Sequence, residues 1–464
     1  MSVQIHNTMT RRKAPFEPIV PGQVRMYVCG ITVYDYCHLG HGRVMVAFDV
    51  ITRYLRHQGY DVRLVRNITD VDDKIIARAH DNEEPISSLT ARMIDSMHED
   101  ERSLGIRPPD EEPRATAYIG EILAMVERLV EQGHAYPADN GDVYYRVRSF
   151  ADYGKLSNRK PDDMRAGARI EVDEAKEDPL DFVLWKAAKP DEQSWPSPWG
   201  PGRPGWHIEC SAMSKCCLGD NFDIHGGGPD LVFPHHENEI AQSEAANGEP
   251  FANVWMHVGA LRSGSEKMSK SLGNFFYLRD ILKANDPEVV RYYLLSSHYR
   301  SPLQYVDDSL EEARRSLIRF YTALDGVVAS EGDVSGEYAE RFFDAMDDDF
   351  NTPVALAALF DLARELNRAK SDQPELAPAL AYELRRLAEI LGLLQRDSNE
   401  FLQGGGASTL PLLAEEIEAQ IAARAEAKKN RDFARADAIR AELESLGIVL
   451  KDSREGTSWV FDKR

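Results

Sequence analysis

Val24, Met26 and Val28 alternate with Arg25 and Tyr27 in the stretch VRMYVCG, the period-two pattern of a strand buried mainly on one face. The strand runs into Cys29-Gly30, where a missing side chain lets the backbone turn or a ligand approach. After Gly42 the apolar positions Val44, Ala47, Phe48, Ile51 and Leu55 recur at helical spacing. Residues 61–68, DVRLVRNI, read as a second strand, and TDVDDK leads from it into another helix. Strand, helix, strand, helix predicts a parallel sheet with crossover helices. Helical patterns cover 86–104 and 115–133, separated by Arg107-Pro108-Pro109-Asp110.

Between 134 and 200 the pattern changes to a short strand, GDVYYRV, then charged, turn-rich residues and the loop WPSPWGPGRPGW. This reads as an insertion, after which the sheet resumes with a helix at 207–218, a strand at 221–224 and a glycine-rich turn at 226–228. Pro234 suits the first turn of a helix running to about 246. VWMHVGAL, 254–261, is a further strand, and SGSEKMSKSLGN, 263–274, reads as a mobile loop. Helical periodicity then dominates at 287–297, 308–326, 337–347, 353–371 and 375–394. GGGAST, 404–409, is a flexible linker, followed by helices at 411–427 and 431–446 and two strand-like runs, GIVLK and SWVF.

The predicted fold class is therefore α/β: a Rossmann-like parallel-sheet catalytic domain with an insertion, an α-helical bundle and a small mixed α/β C-terminal domain. The predicted boundaries are 1–114 and 201–255 for the two halves of the sheet domain and 115–200 for the insertion. A linking region covers 256–306, the bundle 307–400 and the terminal domain 410–464.

A chain of 464 residues fits two to four such domains. The sequence lacks a run of about 18 apolar residues, so no membrane span is expected. The N-terminal arginines are not followed by an apolar core, so the start does not read as a signal peptide, and a cytoplasmic location is expected. Five scattered cysteines are too few for a disulfide scaffold and read as free thiols, metal ligands or catalytic groups. A net charge of −22 argues against broad nonspecific nucleic-acid binding, although local basic patches remain open to RNA.

The candidate chemistry lies in two groups. In the first, His38-Leu39-Gly40-His41 sits at a helix N-terminus, where unpaired N–H groups and the helix dipole favour phosphate. Its bland reading is helix capping. Far downstream lies Lys267-Met268-Ser269-Lys270-Ser271, whose bland reading is a solvated basic turn. Together the two stretches resemble the ATP-binding signatures of class I aminoacyl-tRNA synthetases. The resemblance implies that His38 and His41 contact ATP phosphates and that Gly40 leaves room for adenine. It further implies that Lys270 stabilises the transition state, supported by Lys267 and Ser269, with Mg2+ sharing the phosphate charge.

The second group lies in GWHIECSAM, 205–213, and DIHGGGPDLVFPHHENEIA, 223–241. His235 and Glu239 are four apart, a spacing that puts both on one face of a helix, and His236 is the rival to His235. Cys210 and Cys29 could complete a tetrahedral set that favours zinc, although spacing alone does not join them. The surrounding residues narrow the resemblance to the cysteinyl-tRNA synthetase family, which places zinc ligands at the positions matching Cys29, Cys210, His235 and Glu239. The resemblance also implies a substrate pocket formed by Gly30, Thr32, Thr69, Trp206 and His225. For Trp206 the competing reading is core packing. Cys37, Cys216 and Cys217 match no ligand and read as structural.

The segment 421–464 carries ten Lys/Arg against eight Asp/Glu. Lys428, Arg431, Phe433 and Trp459 are candidate tRNA contacts, the aromatic pair as stacking platforms. The family implies activation of L-cysteine with ATP, transfer to the terminal adenosine of tRNA(Cys), and a monomer. The runner-up is a related ligase that joins cysteine to an amino-sugar; those relatives lack an extended tRNA-binding C-terminus. A zinc hydrolase built on His235, His236 and Glu239 would leave the phosphate signatures unexplained. A noncatalytic RNA-binding relative would be expected to have lost one of them.

Overall fold

In the computed structural model, residues 2–160, 175–190, 192–263, 266–267, 276–306, 308–403, 412, 414–452 and 456–461 are described. The central sheet has four strands: β1 (Gln23–Thr32), β2 (Asp61–Thr69), β3 (Phe222–Gly227) and β4 (Ala252–His257). They lie in the order β4-β3-β1-β2 and all pair in parallel. Helix α1 (Leu39–His57) connects β1 to β2; α2 (Trp206–Leu218) precedes β3, and α3 (Glu237–Asn247) joins β3 to β4.

The alternation in β1 is stricter than one-sided burial. Val24, Met26 and Val28 belong to one apolar core with Val46, Val50 and Ile51 of α1, while Tyr27 and Cys29 belong to a second core with Cys210 and Met213 of α2. A central strand of a parallel sheet is covered on both faces, so its outward positions are also buried.

The chain leaves β1 toward β2 on one side and returns on the other as β3. This reversal makes a crevice at the carboxyl ends of β1 and β3, where open α/β sheets bind ligands. The intervening antiparallel sheet runs Ala135–Pro137, Val143–Tyr145, Phe182–Ala187, Gly202–Pro204, and its core includes Ile208 and Ala212 of α2.

One expectation changes. The turn placed at 226–228 is strand through Gly227. Gly226 serves packing instead: an added Cβ would lie 2.1 Å from the Phe48 ring on α1. Pro234 does stand in the first turn of the following helix: Phe233 before it is extended, at φ −146° and ψ 132°, as a residue preceding proline prefers, the Glu237 N–H donates to the Pro234 carbonyl, and α3 continues from Glu237.

After β4 the chain enters helices Pro287–Leu295, Ser309–Leu324, Glu337–Asp347, Thr352–Asp372 and Ala377–Ile390. The terminal unit pairs helices Ala414–Lys429 and Phe433–Ser445 with the antiparallel hairpin Ile448–Asp452 and Thr457–Phe461. The linker expected at 404–409 and the lysine loop from 268 to 275 lie outside the described residues. Among the described residues no helix is long and apolar enough to cross a membrane.

Candidate active site

A cleft of about 480 Å³ opens at the crevice between β1 and β3. His38, Gly40, His41, Gly30, Thr32 and Trp206 all line it. His38 is the N-cap of α1: its Nδ1 accepts from the His41 N–H at 3.1 Å, and the His38 N–H donates to His41 Nδ1 at 3.3 Å. The capping reading of these histidines therefore holds, and it has a chemical consequence. With each Nδ1 an acceptor, the neutral ring carries its proton on Nε2. Burial, then the neighbouring His38, hold His41 well below the usual histidine range, so it stays neutral. The rings stack at 3.5 Å, and a Cβ at Gly40 would press to 2.9 Å of the His38 ring. Lys267 is placed by its backbone in the short strand Glu266–Lys267, opposite Arg262, while Ser269 and Lys270 lie outside the described residues.

Beneath the cleft, which Cys29 lines, Cys29, Cys210, His235 and Glu239 converge, with one ligand atom from each within 4.8 Å of the others. All four are buried. Cys29 Sγ lies 3.8 Å from Cys210 Sγ and 3.4 Å from Glu239 Oε1, and His235 Nε2 lies 3.0 Å from that oxygen. Two thiolates on a tetrahedral zinc, at bonds of about 2.3 Å, stand about 3.8 Å apart. The sulfur spacing and the mixed donor set fit such an ion.

The electrostatics agree. Burial would raise Glu239, yet His225 and His235 hold it well below the usual carboxylate range. Cys210 is lowered to about 6, first by its hydrogen bond with Cys29, whereas burial pushes Cys29 up. His235 is raised to about 10: burial opposes the charged form, but Glu239 and Cys210 outweigh it. Buried anionic ligands that draw in a proton also draw in a cation.

An overlapping group exchanges Cys210 and His235 for His225 and His236. His236 Nδ1 pairs with His257 Nε2 at 2.8 Å, and its Nε2 stands 3.9 Å from Glu239 Oε1, farther than the 3.0 Å of His235 Nε2. A third group, His98, Glu101 and Glu112, surrounds the guanidinium of Arg66, which forms ion pairs with both acids and explains the cluster without a metal.

The other expected pocket residues divide. Gly30 sits at a register shift in β1; its N–H donates to Asn67 Oδ1 at 2.8 Å, and a Cβ there would meet the Asn67 carbonyl oxygen at 1.6 Å. Trp206 is 39 % exposed and its ring is 4.2 Å from that of His235, so it forms a wall of the cleft. Thr69 and His225 lie one layer deeper. The Thr69 hydroxyl donates to Glu209 at 2.9 Å, and His225 Nε2 pairs with Glu239 Oε2 at 2.8 Å. His207 escapes sequence reasoning, yet its Nδ1 lies 2.9 Å from His235 Nδ1, where it fixes which nitrogen faces the ligand cluster. Its place beside Trp206 in GWHIEC was the available signal.

At the RNA end Phe433 is 62 % exposed and Arg431 opens its helix-to-helix turn at φ 60°. Lys428 pairs with Asp452 at 3.1 Å. Trp459 is not a stacking platform. It is 2 % exposed in the core of the terminal unit, and its Nε1 donates to Glu418 at 2.8 Å. It alternates inward on the hairpin, where a large ring closes a small core.

Residues 15–315 match the family described as tRNA synthetases class I (C) catalytic domain. Residues 341–395 match the DALR domain, and 410–459 the cysteinyl-tRNA ligase anticodon binding domain. The fold is similar to that of Mycobacterium tuberculosis methionyl-tRNA synthetase in complex with methionyl-adenylate, with a TM-score of 0.56 at 18 % identity, covering 83 % of this chain and 92 % of that one. It is also similar to the LeuRS of Agrobacterium radiobacter K84, with a TM-score of 0.59 at 13 % identity, covering 86 % and 88 %. Fold and family match together define a class I aminoacyl-tRNA synthetase. The cysteine–tRNA ligase of Chromohalobacter salexigens is 69 % identical over 460 residues, covering 99 % of this chain and all of that protein. That of Hahella chejuensis is 60 % identical over 463 residues, covering 98 % and 99 %. The chain belongs to the cysteine–tRNA ligase family.

Proposed function

We propose that the enzyme activates L-cysteine with ATP to cysteinyl adenylate and passes the cysteinyl group to the 3′-terminal adenosine of tRNA(Cys), working as a cytoplasmic monomer. One observation carries the reading: Cys29, which belongs to a four-residue set able to hold a metal, lines the same cleft as His38 and His41. Cys29, Cys210, His235 and Glu239 hold zinc in this reading, and His207 and His225 orient His235 and Glu239 from behind. When bound there, zinc supplies a soft acceptor for the substrate sulfur, which a serine hydroxyl matches poorly and alanine not at all.

Around that centre the side chains divide the work. Gly30 and Thr32 shape the pocket beside Cys29, and Trp206 closes it against water. His38 and His41, neutral and protonated on Nε2, donate to the ATP phosphates, where charge grows as the cysteine carboxylate attacks the α-phosphorus and pyrophosphate leaves. Gly40 leaves space for adenine. Lys267, Ser269 and Lys270 complete the phosphate site, with Mg2+ accompanying ATP. The terminal unit reads the anticodon through Lys428, Arg431 and Phe433. Its match to an anticodon-binding family argues against the amino-sugar ligase.

The test is amino-acid-dependent exchange of labelled pyrophosphate into ATP without tRNA, with metal content measured on the same sample. Exchange with cysteine alone in zinc-loaded protein supports the reading. An intact, zinc-loaded protein with no cysteine-dependent exchange would sink it.

A further inference from the structure

Arg43 lies two residues after His41 of the first signature, in the first turns of α1, and only 2 % of it is exposed. A buried guanidinium is costly unless its donors are used. Arg43 Nη2 donates to the main-chain carbonyls of His298, at 3.2 Å, and Ser301, at 2.5 Å. Both acceptors belong to one turn, and that turn holds the base of the second signature.

Gly259 donates its N–H to the Tyr299 carbonyl at 2.7 Å, and Leu303 donates to the Ala260 carbonyl at 3.0 Å. The approach is close enough that a Cβ at Gly259 would lie 2.3 Å from the Ser301 carbonyl oxygen. From there Leu261–Ser263 runs parallel to Leu303–Tyr305, and Glu266–Lys267 folds back antiparallel upon it. The far side of the turn is gripped by Asp349, which accepts from the Tyr299 hydroxyl at 2.8 Å and from Arg300 Nε at 2.6 Å. Arg43 Nε and Nη1 are buried without a protein partner among the described residues. They lie beside a cavity of about 10 Å³ that Tyr299 and Thr352 help to line, the size of one water.

We propose that Arg43 is a positioning residue that sets the distance between the two nucleotide signatures. It fixes the start of α1, with His38 and His41, against the turn that carries the strand of Lys267. The proposal rests on reading those signatures as one ATP site. A lysine keeps the charge but has a shorter reach and no planar fork, so it cannot hold the same spacing.

Cysteine-dependent pyrophosphate exchange by Arg43→Lys and Arg43→Gln tests this, alongside zinc content and thermal melting. In both variants kcat/KM for ATP should fall about 10- to 100-fold, the scale of a misplacement of about 1 Å. KM for cysteine and zinc content should stay within about twofold of the unmutated protein, because α2 and α3 are untouched. Methylguanidine should restore part of the exchange in Arg43→Ala. Unchanged ATP parameters would overturn the proposal, as would equal losses in cysteine and zinc binding. Loss of cooperative melting in Arg43→Lys would show a stability role instead and also overturn it. Absence of exchange by the unmutated protein would remove the ATP reading beneath it, a result that no Arg43 variant can imitate.

Discussion

The guanidinium of Arg291 and the carboxylate of Asp49 meet at 2.5 Å, both almost wholly buried, and so join the helix of the first signature to the helix Pro287–Leu295. Arg291 Nε donates to the Leu391 carbonyl at the end of the bundle, and Nη1 donates to that of Leu104. A Cβ on Gly392, at φ 69°, would lie 2.5 Å from the same guanidinium. The pair is thus the meeting point of sheet domain and bundle. Arg291→Met should destabilise the protein by roughly 1–3 kcal/mol, because it leaves the buried Leu391 and Leu104 carbonyls without their donor and Asp49 with Arg53 as its remaining ion-pair partner. Adding Asp49→Asn should deepen the loss, since Arg53 then loses its carboxylate as well. Denaturant melts of the single and double variants would show it, and equal losses in both would contradict it.

Removal of one thiolate should uncouple metal binding from folding. Cys210→Ser is nearly isosteric, so the melting temperature of the metal-free protein should change little. Zinc retained through a chelator wash should fall sharply, and with it the preference for cysteine over serine in pyrophosphate exchange. Full zinc retention in Cys210→Ser would exclude Cys210 as a ligand.

His207 should matter for the metal without touching it. Its Nδ1 stands 2.9 Å from His235 Nδ1, so His207→Phe removes the partner that orients that ring. Zinc affinity, measured by competition with a chromogenic chelator, should weaken about 10- to 100-fold. The ring of Phe182 lies 5.5 Å away and offers an apolar neighbour for the replacement. An unaltered affinity would leave the contact without a role in metal binding.

Acid should weaken the fold through its buried histidines. His257 is held near 3, about as far as burial and then the nearby His225 can push it from its ordinary 6.5. Burial also holds His236 and His207 well below that value. Between the folded and unfolded values the unfolded chain binds more protons, so stability rises with pH there. The contribution is whole above pH 6.5 and is lost progressively as pH falls toward 3. The melting temperature should therefore drop between about pH 7 and about pH 5, with a shallower slope in His257→Gln. A flat profile across that interval would count against neutral buried histidines.

The two aromatic residues of the terminal unit should behave oppositely. Phe433→Ala should leave the melt unchanged and raise KM for tRNA, since stacking on one base is worth about 1–3 kcal/mol. Trp459→Ala should cost about 3–5 kcal/mol in the stability of that unit through its core. Reversed effects would put the RNA contact at Trp459.

Periodic segments are the most legible part of the chain. Helix 337–347 and the run of helices after it follow from apolar spacing because each buries one stripe against its neighbours. The convergence of Cys29 with Cys210 is not legible from spacing. It depends on β3 pairing with β1 across the intervening insertion, with Tyr27 opposite His225 in that ladder. Arg43 and Asn67 are invisible for a related reason: each acts through a partner distant in sequence, and nothing in its immediate neighbours signals it, whereas His207 stands beside Trp206. Gly226 misleads in the opposite way. Glycine punctuates turns elsewhere, and here close packing against Phe48 decides its role. Trp459 shows that a basic neighbourhood does not establish that an aromatic ring is exposed.

The two thiols of the cluster come from strands and helices on opposite sides of the insertion, 181 residues apart. A ribosome adding about 5–20 residues per second leaves Cys29 without its sulfur partner for roughly 10–35 s. During that interval the nascent chain presents Cys29 alone of the four clustered residues, in a sheet that still lacks β3 and β4. With zinc in the cluster as proposed, the ion is captured only after Cys210, His235 and Glu239 have been made, and a reducing compartment would keep Cys29 unmodified until then.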